Sequence, residues 1–159
     1  MTLSWSMPKR SAGLLMYRQS GERVEVLLAH PGGPFWAKKD LGAWSIPKGE
    51  YESDEDPLQA AKREFEEESG VVPAGSFVAL GEIKQAGGKI VTAWAIEGDG
   101  DASSLKSNTF SIEWPPDSGR VAEFPEVDRW EWFSLEDAEK RILAGQKEFL
   151  ERLAKLMDV

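Results

Sequence analysis

No cysteine occurs among the 159 residues. That absence excludes disulfides, thiolate nucleophiles and cysteine-ligated zinc together. Histidine is limited to His30, which removes a multi-histidine metal centre and leaves little basis for a serine–histidine triad. Basic residues are in deficit, 19 against 28 acidic ones, for a net charge of −9. An acidic surface repels phosphate backbones, so long nucleic acid is a disfavoured partner. If the substrate is anionic, something local must reverse the sign, most simply a bound divalent cation. No run approaches the roughly 18 apolar residues of a membrane-spanning helix. The opening MTLSWSMPKR also lacks the apolar core of a secretion signal. The expectation is a cytoplasmic protein with no membrane partner, as a monomer or homodimer. Residues 1–8 read as a disordered N-terminal extension, with Met7 as an alternative start, and 9–159 as one domain.

What remains is an ordinary globular composition, 41% hydrophobic and 30% charged. Ala12–Tyr17 and Val24–Ala29 read as two strands joined in a hairpin through Gln19-Ser20-Gly21-Glu22. His30–Gly42 is loop-like, and Pro47 stops the short apolar piece Trp44-Ser45-Ile46. A helix is expected over 56–69, with Asp56 as N-cap, Pro57 in its first turn and Gly70 as a left-handed C-terminal cap. Its periodicity makes Leu58, Ala61 and Phe65 the buried stripe. Phe77–Lys84 and Lys89–Ile96 read as a second hairpin, and Thr109–Trp114 and Arg129–Phe133 as further strands. Gly98–Ser107 and Pro115–Pro125 read as turn-rich loops. Ser134 and Asp137 form a capping pair that opens a helix to Leu143. After Gly145 the helical pattern resumes over 146–157, with Phe149, Leu150, Leu153 and Leu156 apolar. Strands, helix, strands, helix predict a mixed α/β fold with much antiparallel pairing.

The informative segment is Arg63-Glu64-Phe65-Glu66-Glu67-Glu68. Glu64 lies three residues from Glu67 and four from Glu68, so all three share one helical face. Like-charged neighbours at those spacings cost a few tenths of a kcal/mol each in an isolated helix. Ionised carboxylates are pure acceptors, the ligand type that Mg²⁺ prefers, and a cation converts their repulsion into shared ligation. A glutamate run on a helix is more often only a solvated face, and charge alone does not decide.

The flanking spacing does. Gly49, five residues, Glu55, seven residues, then Arg63-Glu64-Phe65-Glu66-Glu67-Glu68-Ser69-Gly70-Val71 resembles the box GX5EX7REUXEEXGU of the Nudix hydrolase family. Seven specified residues match over 23 positions, with Phe65 and Val71 at the apolar ones. The resemblance covers the whole chain in its order of elements. It implies an α/β/α sandwich around a mixed sheet. It also implies hydrolysis of a nucleoside diphosphate linked to another group, with Mg²⁺ or Mn²⁺ as cofactor. By it, Glu64, Glu67, Glu68 and the Gly49 carbonyl are the metal ligands, Glu67 the base, and Arg63 the residue that orients a glutamate. Glu55 is expected to pin the loop to the helix or to act in catalysis, with Phe65 and Val71 in the core.

Trp44-Ser45-Ile46-Pro47-Lys48-Gly49 is similar to the entry into the box of dinucleoside polyphosphate hydrolases and the related RNA 5′-pyrophosphohydrolases. Those branches have a second proline where Ile46 stands, so the match is partial. Lys48 is placed to meet a phosphate, or is a surface lysine. Trp44 either stacks on a base, which is worth ~1–3 kcal/mol, or lies in the core under the sheet. The same branches carry a further glutamate ahead of a late tryptophan-bearing strand, which makes Glu126 a candidate metal ligand, with Glu123 and Glu113 as competitors. In the loop 30–42, Trp36 or Phe35 could stack on a nucleotide and Lys38 or Lys39 meet phosphate. His30 reads as a strand-end structural residue rather than a catalyst. The substrate expected is a small nucleotide polyphosphate, a dinucleoside polyphosphate or a nucleoside triphosphate. The alternatives are an RNA 5′-end pyrophosphohydrolase and a nucleotide-binding module without turnover.

Overall fold

Residues alternate between two covered faces along the first two strands, and that alternation sets the architecture. The computed structural model describes residues 8–159. Met7 and all of the expected extension except Pro8 lie outside the described residues. Strand β1 (Arg10–Ser20) and strand β2 (Arg23–Pro31) form a hairpin whose turn places Gly21 at a φ of 65°, the left-handed region that glycine tolerates. Ala12 and Leu14 face one side of the sheet and pack against Ala60, Ala61 and Phe65. Leu15, Val26 and Leu28 join Phe149, Leu150 and Leu153 in the other core cluster. Strands covered on both faces read as continuous apolar runs, as AGLLMY and VEVLLA do.

Around this hairpin the sheet adds β3 (Lys48–Glu50), β4 (Phe77–Lys84), β5 (Ile90–Glu97) and β8 (Val127–Ser134). The order is β4-β5-β1-β2-β8, with β3 paired to the first part of β1. β1 and β5 run parallel and the other pairs antiparallel, so the sheet is mixed. Helix α1 (Pro57–Ser69) covers one face, and α2 (Leu135–Arg141) and α3 (Lys147–Met157) cover the other. This is the expected α/β/α sandwich. Among the described residues no helix is long and apolar enough to cross a membrane.

Several local expectations need correction. Helix α1 is capped as anticipated, with the Asp56 carboxylate accepting from the Gln59 N–H and Gly70 at a φ of 79°. Its buried face includes Ala60, however, and Leu58 is only half-buried at the edge of the stripe. Val71 is 43% exposed rather than core, because it lies just beyond the helix, past the Gly70 cap. Leu156 is likewise 52% exposed, on the last turn of α3. Helix α2 ends at Arg141, and a 3₁₀ turn, Ala144–Gln146, separates it from α3. The stretch 115–125 is not all loop: Val121–Pro125 is a strand, β7, paired antiparallel with β6 (Thr109–Glu113) as a separate two-stranded sheet.

Candidate active site

The register of β3 on β1 determines where the box begins. Ala12 pairs with Gly49 and Gly13 with Lys48, which holds the Lys48-Gly49 step against the start of the sheet. Helix α1 packs beside it and aims Glu64 at that backbone. A methyl group on Gly49 would lie 2.1 Å from the Glu64 carboxyl carbon, so a larger residue there would displace that carboxylate. Lys48, Gly49, Glu64, Glu67, Glu68, Asn108, Thr109 and Glu126 line one cavity of about 450 Å³.

The fourth carboxylate arrives from a distant part of the chain. The Asn108 N–H donates to the Glu67 carbonyl at 3.0 Å, and the Glu126 N–H donates to the Asn108 carbonyl at 2.8 Å. The base of the β6–β7 hairpin is thereby fastened to the last turn of α1. Glu113 and Glu123, the competitors of Glu126, point along the exposed face of that hairpin and do not line the cavity.

Arg63 organises the acids on the far side. Its guanidinium grips Glu55 with two bonds, Nε to Oε2 at 3.0 Å and Nη2 to Oε1 at 3.1 Å. Nη1 donates to Glu64 at 2.9 Å and to Glu67 at 3.4 Å. Such forked, charge-assisted contacts fix geometry as well as charge. They hold the Glu55 carboxyl below its ordinary range and the Arg63 guanidinium above its own. Glu55 itself lies outside the cavity, so its contact is with the helix rather than the site.

The acids inside the cavity are strained electrostatically. Burial pushes the Glu68 carboxyl up to about 8, with repulsion from Glu64 and Glu126 adding and Lys48 opposing. Burial, then Glu67, raises Glu64, against the pull of Arg63. Lys48 is half-buried, and burial lowers it below the ordinary lysine range.

This donor set fits a hard divalent cation. Every acid is an oxygen donor, the cavity has no sulfur or imidazole, and the Gly49 backbone can be approached closely. Among the described residues no three acidic side chains already stand in the arrangement of a closed cage. Arg63 Nη1 holds Glu64 and Glu67 together on one side, with Glu68 and Lys48 beside them in the cavity.

Other candidates are placed elsewhere. Trp44 is a correction: it is 1% exposed, stands edge-on to His30 and Phe133, and donates its indole N–H to Asp40 at 2.8 Å. No base can reach it. Trp36 is half-buried against the core on the opposite side of the sheet from α1, with Lys39 over its ring, and Lys38 is exposed. Neither Trp36 nor Lys38 lines the cavity. His30 is fully buried, with Nδ1 2.7 Å from Asp128 and Nε2 2.6 Å from the Lys39 carbonyl, a structural tie between loop and sheet. Asn108 and Thr109 open the stretch 108–120, which reads from the sequence as either a substrate loop or a packed surface excursion, and neither stands out in it as a site residue. They carry no charge or motif, and only the tie to α1 brings them to the cavity.

The chain is similar to proteins already known. An RNA pyrophosphohydrolase of Bartonella henselae is 26% identical over 87% of this chain and 83% of its own length. An RNA pyrophosphohydrolase of Brucella ovis is 28% identical over 82% of this chain and 83% of its own. The crystal structure of the C. elegans Ap4A hydrolase superposes with a TM-score of 0.58 at 26% identity, covering 95% of this chain and 99% of that one. The model of the NUDIX domain matches residues 7–153, and the chain belongs to the NUDIX family.

Proposed function

We propose that the chain is a metal-dependent pyrophosphohydrolase that cleaves a phosphoanhydride bond in a small nucleotide, a dinucleoside polyphosphate or a nucleoside triphosphate. The observation that carries this reading is the meeting of Glu64, Glu67, Glu68 and Glu126 with Lys48 around one cavity. The substrate type draws on the similarity to the Ap4A hydrolase as well. Mg²⁺ or Mn²⁺ held by Glu64, Glu68, Glu126 and the Gly49 carbonyl would supply charge neutralisation and acidify the attacking water.

The chain's own groups do the rest. Glu67 is the carboxylate most open to solvent among those that Arg63 touches, 43% exposed against 16% for Glu64. It takes the proton as the water oxygen bonds to phosphorus and the bridging P–O bond breaks toward the leaving phosphate. Arg63 keeps Glu67 and Glu64 in place from behind. Lys48 places an ammonium beside the negative charge that spreads over the phosphoryl oxygens.

A second reading, action on RNA 5′ ends, is favoured by the two RNA pyrophosphohydrolase relatives. A panel of dinucleoside polyphosphates, nucleoside triphosphates and 5′-triphosphorylated oligonucleotides, run with Mg²⁺ in ¹⁸O-water, tests both. Label in one product identifies the phosphorus attacked. Fastest turnover of free nucleotides supports the first reading, and fastest turnover of the oligonucleotide supports the second. Tight nucleotide binding with no product would make the protein a binding module instead.

A further inference from the structure

We infer that Ser107 is a positioning residue for Glu126, setting that carboxylate against the glutamates of α1; the inference rests on the reading of Glu126 as a metal ligand. The segment 106–108 runs along the last turn of α1. The Lys106 N–H donates to the Ser69 carbonyl and the Asn108 N–H to the Glu67 carbonyl, each at 3.0 Å. These carbonyls have no partner inside the helix, because they belong to its open end. Ser107 lies between the two donors and faces the other way, toward the start of β8. Its hydroxyl oxygen accepts the Val127 N–H at 2.9 Å. Its proton has the Asn108 carbonyl at 2.8 Å and the Val127 carbonyl at 3.2 Å as acceptors.

Glu126 is therefore held by its neighbours rather than by its side chain. Its N–H donates to the Asn108 carbonyl at 2.8 Å, its carbonyl accepts from the Gly32 N–H at 2.9 Å, and the N–H of that same 126–127 peptide donates to Ser107. The Ser107 contact is the one of the three that depends on a side chain. It is made at the start of β8, the edge strand of the sheet, where Val127 pairs with Pro31 just past the shift in the β2–β8 register. Val127 is buried, so removing the hydroxyl deprives a buried N–H of the bond that satisfies it. The chain relieves that by moving the 126–127 peptide, and a small movement there displaces the carboxylate at the cavity.

The experiment compares wild type, Ser107→Ala, Ser107→Thr, Glu126→Gln and the Ser107→Ala/Glu126→Gln double variant. Mn²⁺ affinity is read by electron paramagnetic resonance, kcat and KM with the best substrate of the panel, and folding by circular dichroism. Ser107→Ala is expected to weaken Mn²⁺ about tenfold, the scale seen when a residue behind a metal ligand is removed. It should lower kcat more than KM, and Ser107→Thr should restore both. In the Glu126→Gln background Ser107→Ala should add less than twofold, because it acts only through Glu126. Wild-type Mn²⁺ affinity in Ser107→Ala overturns the inference, as does a double variant equal to the product of the single effects. Glu126→Gln with wild-type affinity also overturns it, while binding by the α1 glutamates leaves the proposed function standing. Wild-type protein that neither binds Mn²⁺ nor turns over removes both. If Ser107→Ala fails to fold, Ser107→Cys, a weaker acceptor of nearly the same shape, is read against Ser107→Thr by the same criteria.

Discussion

A single carboxyl shows how the site stores what its chemistry needs. Glu68 is pushed up to about 8 from an ordinary value of 4.5, first by burial and then by Glu64. In the metal-free protein the folded state therefore holds a proton that the unfolded chain has released, between pH ~4.5 and ~8. Stability falls as pH rises through that window, the reverse of the usual salt-bridged carboxylate. Glu68→Gln keeps the shape and removes the charge. In EDTA it should match wild type near pH 5 and exceed it near pH 8.5, with a Tm several degrees higher. Parallel Tm curves for the two proteins would contradict the account. The same substitution should lower turnover by ~10²-fold or more, because it removes charge where the reaction needs it. Lys48→Ala tests the opposite sign. It removes the ammonium beside Glu68 and should raise KM or lower kcat for polyphosphates, whereas unchanged kinetics would return Lys48 to an ordinary half-buried lysine.

At the scale of elements, what was legible followed from local chemistry. Asp56, Pro57 and Gly70 bound α1 because each acts on its own backbone, and the glutamates inherit their face from the helical period. Trp44 was not legible in the same way. An aromatic before the box serves a ligand or a core equally well, and only the pairing of Trp44 with Ile142 and the packing of Phe133 decide it. Trp44→Phe tests the outcome: loss of the indole bond to Asp40 and of buried volume should cost about 1–3 kcal/mol by chemical denaturation, with KM unchanged. A raised KM at undiminished stability would put Trp44 back at the substrate. Strand β7 was hidden for a related reason. Val121, Glu123 and Pro125 are exposed and only Ala122 and Phe124 are half-buried, so the strand has a weak apolar face. It is defined by its partner β6, and partners are long-range facts. Asn108 and Thr109 reach the cavity through those same long-range bonds, which is why residue types alone did not mark them.

The whole molecule carries the argument about substrate size. With a net charge of −9, a polyanion approaches against the average field, and on the proposed reading Lys48 and a cation in the cavity would reverse the sign locally. The β6–β7 hairpin extends that field to the rim. Thr109 lines the cavity, and Ser111 and Glu113 follow on the same exposed face, with Glu123 paired across from Ser111. A free nucleotide bound as proposed would have its phosphates at the cavity and would meet little of this. An RNA 5′ end carries further phosphates outward, past acids on the protein surface. Ionic strength separates the two cases by sign. An enzyme that grips an RNA backbone with basic residues loses kcat/KM steeply as salt rises, through counterion release. Here added salt screens repulsion instead, over a Debye length of ~8–10 Å at physiological strength. At fixed Mg²⁺, kcat/KM for a 5′-triphosphorylated oligonucleotide should stay level or rise between 20 and 200 mM KCl, and that for a dinucleoside polyphosphate should change less. Glu113→Gln/Glu123→Gln should raise the oligonucleotide value at low salt and leave the small substrate unaffected. A steep loss of oligonucleotide activity with salt would mean that a basic track outside the cavity guides RNA, and the preference for small substrates would fall with it.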